Sequence, residues 1–267
     1  MKAITSALVL FIGLCCINPC TAQTQLRPAY LDEPVEIRPI GDIKAGENYP
    51  LVIYLPFTTG SAEIFYSAVS PYLGLTNYFA IIPKGTSDLK DYLPDFMSYL
   101  RWYEQRLMTD LQKILKEYPV DTGRIYLSGY SLGGDLSWAL AIRQKELFAG
   151  AVIIGSRCSY APNAKELKYL KEHKNRLVLL MGTEDLPERV KGMVNSYNLA
   201  KKNGLAVWHW QFAVEHIIPR DTTLPRAFDI LFGRSDGTAG VSVPVPTAAP
   251  VTPPEEIPLR SEMLQKH

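Results

Sequence analysis

The sequence predicts an α/β fold in which a mostly parallel central sheet carries helices on both faces. Short apolar runs such as 51–55 and 78–82 are typical of strands that are buried on both sides. Each run is followed by a stretch with apolar residues at helical spacing, so strands and helices alternate at least five times. In such sheets ligands bind at the carboxyl ends of the strands. The loops that follow the strands are therefore the candidate functional positions.

Length and composition fit one globular domain with tails. The chain has 267 residues, of which 47% are hydrophobic and 21% charged. Its 28 basic and 27 acidic residues give a formal charge of +1. Such a balance creates no strong field, so it favours neither a nucleic acid nor an anionic membrane surface as a partner. The oligomeric state cannot be inferred from the sequence.

The first 22 residues differ from the rest of the chain. Lys2 is their only charge, an apolar run covers 7–17, and Cys20-Thr21-Ala22 ends in small residues. This pattern predicts a secretory signal peptide, and hence an exported protein, periplasmic or secreted; an uncleaved anchor or a buried helix is the alternative. Cleavage would leave Cys158 as the only cysteine, so no internal disulfide is expected.

The elements of the first half follow from local pattern. Residues 23–33 are polar and read as a leader, and 34–40 alternate in polarity around Pro39, which favours an edge strand. The run 51–55 has β-branched residues at its centre and suits a central strand. The predicted elements are, in chain order, an edge strand over 34–40, strands over 51–55 and 78–82 with a helix from 62 to about 75 between them, a polar loop over 84–95, and an amphipathic helix over 95–117.

The second half continues the alternation. A turn is predicted at Asp121-Thr122-Gly123 because these residue types favour turns, and Pro187 is compatible with the first turn of a helix. The predicted elements are strands over 124–128, 149–154, 176–181 and 206–214, and helices from the serine turn to about 145, over 163–173, over 187–202 and over 222–232. The folded domain is expected to span 34–233. The proline-rich segment at 234–267 is predicted to be a disordered tail.

The strongest motif is Gly129-Tyr130-Ser131-Leu132-Gly133, a Gly-x-Ser-x-Gly sequence between a predicted strand and a predicted helix. A serine at such a sharp turn adopts a strained backbone conformation, which lifts its hydroxyl above the sheet edge. Ser131 is therefore the candidate nucleophile, and the following Leu132 amide is a candidate oxyanion donor. The alternative is a glycine-rich loop with an incidental serine.

A serine hydroxyl needs an adjacent base at neutral pH. His216 is the candidate, because it follows a predicted strand late in the chain. Of the other histidines, His173 belongs to a charged helix end, His209 to a strand and His267 to the tail.

The base in turn needs a carboxylate that fixes its tautomer and stabilises its cation. Asp185 directly follows the strand over 176–181 and is the candidate. Glu184 is expected to face away, and Glu215 is too close to His216 along the chain to orient it. The order Ser131, Asp185, His216 is that of one known hydrolase architecture.

A second oxyanion donor is expected from the loop after an earlier strand, here 56–60. The Thr58 amide is the first candidate and the Phe57 amide the second; a plain connecting loop is the alternative. Cys158 lies in a loop after a strand and is expected to be a buried thiol rather than a nucleophile. The sequence shows no metal-binding spacing and no phosphate-binding loop, so no metal or other cofactor is predicted.

Three segments resemble a known family: Arg124-Ile125-Tyr126-Leu127-Ser128-Gly129-Tyr130-Ser131-Leu132-Gly133-Gly134, Gly182-Thr183-Glu184-Asp185, and Glu215-His216-Ile217-Ile218-Pro219. The chain resembles α/β-hydrolases, and among them secreted esterases of the polyhydroxybutyrate depolymerase, feruloyl esterase and phospholipase/carboxylesterase type. The resemblance covers about 34–232. It implies the α/β-hydrolase fold with an eight-stranded type of sheet, possibly trimmed. It also implies a serine esterase that cleaves a small-molecule or polymer carboxylic ester through an acyl-enzyme.

In that family the strand before the oxyanion loop commonly ends in His-Gly, where this chain has Pro56-Phe57. The Phe57 side chain is expected to narrow the acyl pocket, re-aim the Thr58 amide or weaken the oxyanion site. Two other functions stay open: a peptidase or amidase, because peptidases share the fold, and a non-catalytic binding protein on a hydrolase scaffold, which the Pro56-Phe57 departure motivates.

Overall fold

The protein is described by a computed structural model that covers residues 35–237. The predictions for the signal peptide at 1–22, for the leader at 23–33 and for nearly all of the tail at 234–267 lie outside the described residues. Within them the strands are β1 (Glu36–Ile40), β2 (Tyr49–Leu55), β3 (Tyr78–Ile82), β4 (Val120–Tyr130), β5 (Gly150–Ile154), β6 (Arg176–Gly182) and β7 (Ala206–Phe212).

The strands form one sheet in the order β1-β3-β2-β4-β5-β6-β7. All neighbours pair in parallel except β1, which runs antiparallel to β3 at the edge, with Pro39 opposite Phe79. The predicted edge strand is thus confirmed, because a proline cannot donate a hydrogen bond to a second neighbour. The resemblance implied an eight-stranded type of sheet, and the described residues form seven strands.

The helices are α1 (Ala62–Val69), α2 (Leu89–Tyr92), α3 (Phe96–Glu117), α4 (Leu132–Arg143), α5 (Ala164–His173), α6 (Pro187–Lys202) and α7 (Thr223–Leu231). Several begin at residues that sequence reasoning recognises as helix starts. Asp95 caps α3 by accepting from Met97 and Ser98, Asn163 forms a capping box with Glu166, and Pro187 opens α6.

Helices cover both faces of the sheet, as predicted. Along β2, Leu51, Ile53 and Leu55 point into one apolar layer, while Val52 and Tyr54 point into the other. This alternation follows from the two-residue period of a strand. The first layer is completed by α3, α4, α5 and α6, and the second by α1 and α7. The core is therefore one sheet with an apolar layer on each side.

Three predictions about local structure need correction. The predicted turn at 121–123 is wrong, because β4 runs unbroken from Val120 to Tyr130. The register passes from Tyr49↔Val120 to Leu51↔Ile125, so residues 121–124 have no partner in β2 and bulge out of the strand, and the Gly123 amide there donates to Asp121 Oδ1. Helix α1 ends at Val69, followed by a short 3-10 turn over Ser70–Tyr72, and the polar loop over 84–95 contains the one-turn helix α2.

Among the residues that the structure describes, no helix combines the length and the apolar character needed to cross a membrane. Over the same residues, no group of three or more histidine, cysteine, aspartate or glutamate side chains could hold a metal ion.

Candidate active site

Ser131 lies at the sharp turn between β4 and α4. Its backbone has φ 57° and ψ −115°, a conformation that L-residues rarely adopt. The Ser131 amide donates to the Ile154 carbonyl at the end of β5. The sequence prediction of a strained serine between a strand and a helix is therefore confirmed, and the serine stands at the carboxyl edge of the sheet.

The turn at residues 129–133, called the elbow below, requires glycines because backbone segments approach each other closely there. A Cβ atom at Gly129 would collide with the backbone of Gly133, and one at Gly133 would lie 2.7 Å from the carbonyl oxygens of both Leu55 and Pro56. The start of α4 therefore packs directly on the end of β2. This contact puts the turn next to the loop at 56–60.

The predicted acid and base lie together. Asp185 follows β6, and its Oδ2 lies 2.5 Å from His216 Nδ1. The carboxylate is nearly fully buried, and its Oδ1 accepts from the Leu186 amide at 2.6 Å and from Arg189 Nη1 at 3.0 Å. A carboxylate held in this way fixes the imidazole tautomer with the proton on Nδ1 and leaves Nε2 as the basic nitrogen.

The imidazole is held by Tyr130 and Gly155. Tyr130 stacks on the His216 ring at 4.5 Å between centroids, and its hydroxyl donates to the His216 carbonyl at 2.7 Å. A Cβ atom at Gly155 would lie 2.9 Å from His216 Cε1 and 3.2 Å from the Tyr130 ring, so the bare backbone of Gly155 rests against the edge of the stacked pair. Tyr130 precedes Ser131, and Gly155 follows the residue that accepts from the Ser131 amide. His216 is thus held by Tyr130, which directly precedes Ser131, and by Gly155, which directly follows Ile154.

No hydrogen bond joins the Ser131 hydroxyl to the His216 ring among the described residues. Contacts of this kind are often long before substrate binds and shorten in the reactive complex. The structure thus brings Asp185 and His216 into contact and holds His216 against the residues that flank Ser131.

The charges around His216 favour its neutral form. Burial lowers the pKa of His216, and the positive charge of Arg189 lowers it further, as does that of Arg157. The Asp185 carboxylate acts in the opposite direction without reversing the shift. An imidazole that stays neutral at neutral pH can accept a proton, as a general base must.

The loop at 56–60 lies beside the elbow. The Thr59 and Gly60 amides donate to the Ser87 and Phe57 carbonyls, whereas the Thr58 amide has no acceptor among the described residues. The Thr58 hydroxyl bonds to the Tyr92 hydroxyl on α2 at 2.7 Å. The Leu132 amide opens α4, where the first amides of a helix have no acceptor within it. These two amides remain the candidate oxyanion donors.

Phe57, which replaces the expected glycine, turns back under its own loop. A Cβ atom at Gly60 would collide with its ring, and the ring also contacts Tyr130 at 5.8 Å between centroids. Since Tyr130 stacks on His216, three rings form a row from the loop to the imidazole. The Phe57 ring therefore packs against the turn at residues 57–60 and against the Tyr130 ring.

The remaining candidates of the sequence lie elsewhere. His173 is exposed at the end of α5 and stacks on Tyr169, and His209 is half-buried in β7. Cys158 is buried, and burial raises the pKa of its thiol well above the ordinary range, which makes it a poor nucleophile. His267 lies outside the described residues.

Sequence reasoning missed four residues near the site. Arg189 had a signal, because it stands four residues after Asp185, in the first turn of the helix that begins two residues after the aspartate. Tyr130 is part of the motif itself, but nothing in the sequence shows that it stacks on His216. The contacts of Gly155 and Tyr92 depend on how distant loops meet, which no local pattern predicts.

Comparison with known proteins agrees with this architecture. No protein-family model matches the chain, and no curated protein matches it either. Among solved structures it is similar to a thermostable esterase (TM-score 0.52, 18% identity, 74% of this chain and 58% of the esterase), so it spans less than two thirds of that protein. It is also similar to a fluorophosphonate-binding serine hydrolase F, FphF, of Staphylococcus aureus (0.55, 13%, 74% and 91%) and to YahD with malic acid (0.56, 12%, 75% and 98%). At these identities the likeness shows the fold, and the protein has the α/β-hydrolase fold.

Proposed function

We propose that the protein is a serine esterase that hydrolyses carboxylic esters through an acyl-enzyme. The observation that carries the proposal is the Asp185–His216 hydrogen bond, formed beside a serine elbow with a strained backbone. The solved neighbours with this fold include esterases and a serine hydrolase, which supports hydrolysis as the general activity.

In the proposed reaction the Ser131 hydroxyl attacks the ester carbonyl, and His216 Nε2 accepts its proton. His216 then returns that proton to the leaving alcohol as the carbon–oxygen bond of the tetrahedral intermediate breaks. Asp185 stabilises the imidazolium between these steps. The amides of Leu132 and Thr58 donate to the oxyanion. Water, deprotonated by His216, then attacks the acyl-enzyme and releases the acid together with Ser131.

The test is labelling with a fluorophosphonate probe followed by mass spectrometry, alongside hydrolysis of a short p-nitrophenyl ester. Trypsin cleavage after Arg124 and Arg143 releases a peptide that contains Ser128, Ser131 and Ser137, so fragment ions must locate the adduct. We expect the adduct on Ser131 and none in Ser131→Ala. Ser128→Ala is the matched control and should still be labelled. A protein that neither hydrolyses the ester nor takes the label contradicts the proposal.

A non-catalytic binding protein is the second candidate. The lack of a hydrogen bond between the Ser131 hydroxyl and the His216 ring among the described residues favours it. It predicts that a bound ester stays intact, with the same affinity in Ser131→Ala and no acyl adduct. A peptidase or amidase would keep the same three residues, and the relative kcat/KM for aminoacyl amides and matched esters distinguishes it.

We also propose that the protein is exported and loses residues 1–22. The apolar run at 7–17 and the small residues before position 23 support this proposal. Expression of the full chain followed by N-terminal sequencing of the product should give Gln23 as the first residue. A product that retains Met1 and stays in the cytoplasm contradicts it.

A further inference from the structure

Arg157 lies in the loop that follows β5, at the carboxyl edge of the sheet. Its carbonyl oxygen packs on Gly192 of α6, where a Cβ atom would collide with it. Two residues earlier, Gly155 lies against the His216 ring. The backbone of Arg157 is therefore fixed between α6 and the base, and its long side chain starts beside the candidate site.

The guanidinium of Arg157 lies by the first turn of α6, where its Nη2 is 3.7 Å from Glu188 Oε1, three residues after Asp185. Burial lowers the pKa of His216, and Arg157 is one of the two cations that lower it further. Burial raises the pKa of Tyr92, and Arg157 is the stronger of two cations that oppose this rise. Tyr92 bonds to Thr58 in the proposed oxyanion loop. The positive charge thus acts on the base and on the partner of the oxyanion loop alike.

Arg157 has no strong ion pair in the described part of the chain. Its one ion partner there, Glu188, lies 3.7 Å away, and the side chains are 41% and 58% exposed. Such exposed pairs contribute little and are readily exchanged. The other cation near His216, Arg189, is half-buried and committed to Asp185. The nearby Asp135 carboxylate is buried and already accepts from Ser156 and Ser159.

We propose that Arg157 is a specificity-determining residue that selects esters carrying a carboxylate, which its planar guanidinium binds through paired hydrogen bonds. This inference rests on the proposed esterase function and names the substrate class of that same site. The same residues hydrolyse neutral esters, which have no carboxylate to form paired hydrogen bonds with Arg157.

The experiment compares kcat/KM for matched anionic and neutral esters. Monoethyl against diethyl adipate places the charge on the acyl side, and 4-acetoxybenzoate against its methyl ester places it on the leaving group. We expect the wild type to prefer the anionic member of at least one pair. Arg157→Gln should remove roughly tenfold of that preference by raising KM for the anionic ester, measured at a pH above the acid limb so that the effect of Arg157 on the pKa of His216 does not enter the ratio. Arg157→Lys should retain part of it.

Arg124→Gln is the matched control, because Arg124 is equally exposed and paired with an acid but lies at the opposite end of the sheet. It should leave both substrate ratios unchanged. Raising the ionic strength from about 0.01 M to about 1 M should weaken the wild-type preference and not that of Arg157→Gln, since the Debye length falls from about 30 Å to about 3 Å.

The outcomes separate this inference from the proposed function. A protein that hydrolyses neutral esters at Ser131 but shows no preference for an anionic ester, or an equal preference in Arg157→Gln, overturns the role of Arg157 and leaves the esterase intact. A protein that hydrolyses none of the esters and takes no serine label overturns both.

Discussion

At the scale of single residues, the site depends on one buried carboxylate with three hydrogen-bonding partners. The Asp185 carboxylate accepts hydrogen bonds from the Leu186 amide, from Arg189 and from His216. Its neighbour Glu184 is exposed. Two adjacent acids therefore differ in role because only one of them faces the interior.

Replacing Asp185 with asparagine should test that difference. An amide at this position can stabilise the wrong imidazole tautomer and carries no charge to stabilise the cation, so we expect kcat on a neutral ester to fall on the order of a thousandfold or more. Glu184→Gln is the matched control and should stay within about twofold, as surface changes usually do. Equal losses in both variants would contradict the assignment.

Arg189 should set the pH dependence of activity. Its charge lowers the pKa of His216, which lies below the ordinary 6.5. A lowered pKa keeps the base neutral to lower pH, so Arg189→Gln should move the acid limb of the kcat/KM profile to higher pH. The exposed Lys191 on the same helix provides the control, because Lys191→Gln should leave the limb in place. A limb that stays in place or moves to lower pH in Arg189→Gln contradicts this account.

At the scale of elements, the elbow joins β4, α4 and the end of β2 through backbone contacts that only glycine allows. The carbonyls of Leu55 and Pro56 face Gly133. The Ile154 carbonyl oxygen faces Gly134, where an added Cβ atom would lie 2.8 Å from it. The position of the serine is thus determined by how closely a helix can approach two strands.

Gly133→Ala should therefore disturb stability and activity together. The added methyl group lies 2.7 Å from two carbonyl oxygens that cannot rotate away, so α4 must shift. Overpacking of this kind costs about 1–3 kcal/mol, which lowers Tm by several degrees in a domain of this size. Gly123→Ala is the control, because its nearest contact is a side-chain oxygen at 3.4 Å. Thermal unfolding and ester hydrolysis should both separate the two variants.

Strand β7 carries a histidine that should destabilise the fold in acid. Burial lowers the pKa of His209 to about 4, and its Nε2 has no hydrogen-bond partner within residues 35–237. Between the unfolded value of 6.5 and the folded value of about 4 the unfolded chain binds the extra proton, so the free energy of unfolding falls as pH falls through this window.

His209→Phe should remove that dependence, since its ring can still pack against Tyr197 without titrating. The difference in unfolding free energy between the variant and the wild type should grow as pH falls from 6.5 and level off below about 4. His173→Phe replaces an exposed ring outside the sheet and controls for the exchange of residue type. Denaturant unfolding at several pH values measures both, and parallel curves for His209→Phe and the wild type would refute the burial argument.

At the scale of the whole molecule, the two apolar layers share one sheet. Alternate residues of the same strands belong to different layers, so neither layer can lose its packing without exposing the other face of the sheet. Cys158 is the only cysteine in the described part of the chain, and it is buried without a disulfide.

The domain should therefore unfold in a single transition that a reductant does not shift. Trp102 and Trp138 report on one layer, and Trp208 and Trp210 on the other. One variant keeps only the tryptophans of the first layer, and a second keeps only those of the other layer. Both should give the same unfolding midpoint by fluorescence as circular dichroism gives for the backbone. Separate midpoints for the two layers, or a lower Tm with reductant, would show that the layers are not coupled.

The sequence was a good guide to the fold, because the buried parallel strands are continuous apolar runs with few alternative structures. Predicted and observed bounds of β3 and α6 coincide. Asp121-Thr122-Gly123 misled because a turn preference is local: the strand pairs with β2 before and after this segment, which becomes a bulge within β4 and not a turn between elements. Asp185 and His216 were singled out because position after a strand restricts the choice; the structure brings these two side chains into contact, and their catalytic roles stay a prediction. Tyr130, Tyr92 and Arg157 depend on contacts between distant loops, which local patterns do not record.

The Tyr130 side chain has a consequence for motion in this edge of the sheet. Its ring covers the imidazole, and its hydroxyl binds the backbone of the same histidine, while its own backbone leads directly into the serine. A fluctuation of the segment at 213–222 must therefore break a stacking contact and a hydrogen bond before the histidine leaves the elbow. Ser131 and His216 are tethered by one side chain, so they should move together on the timescale of loop motion rather than drift apart.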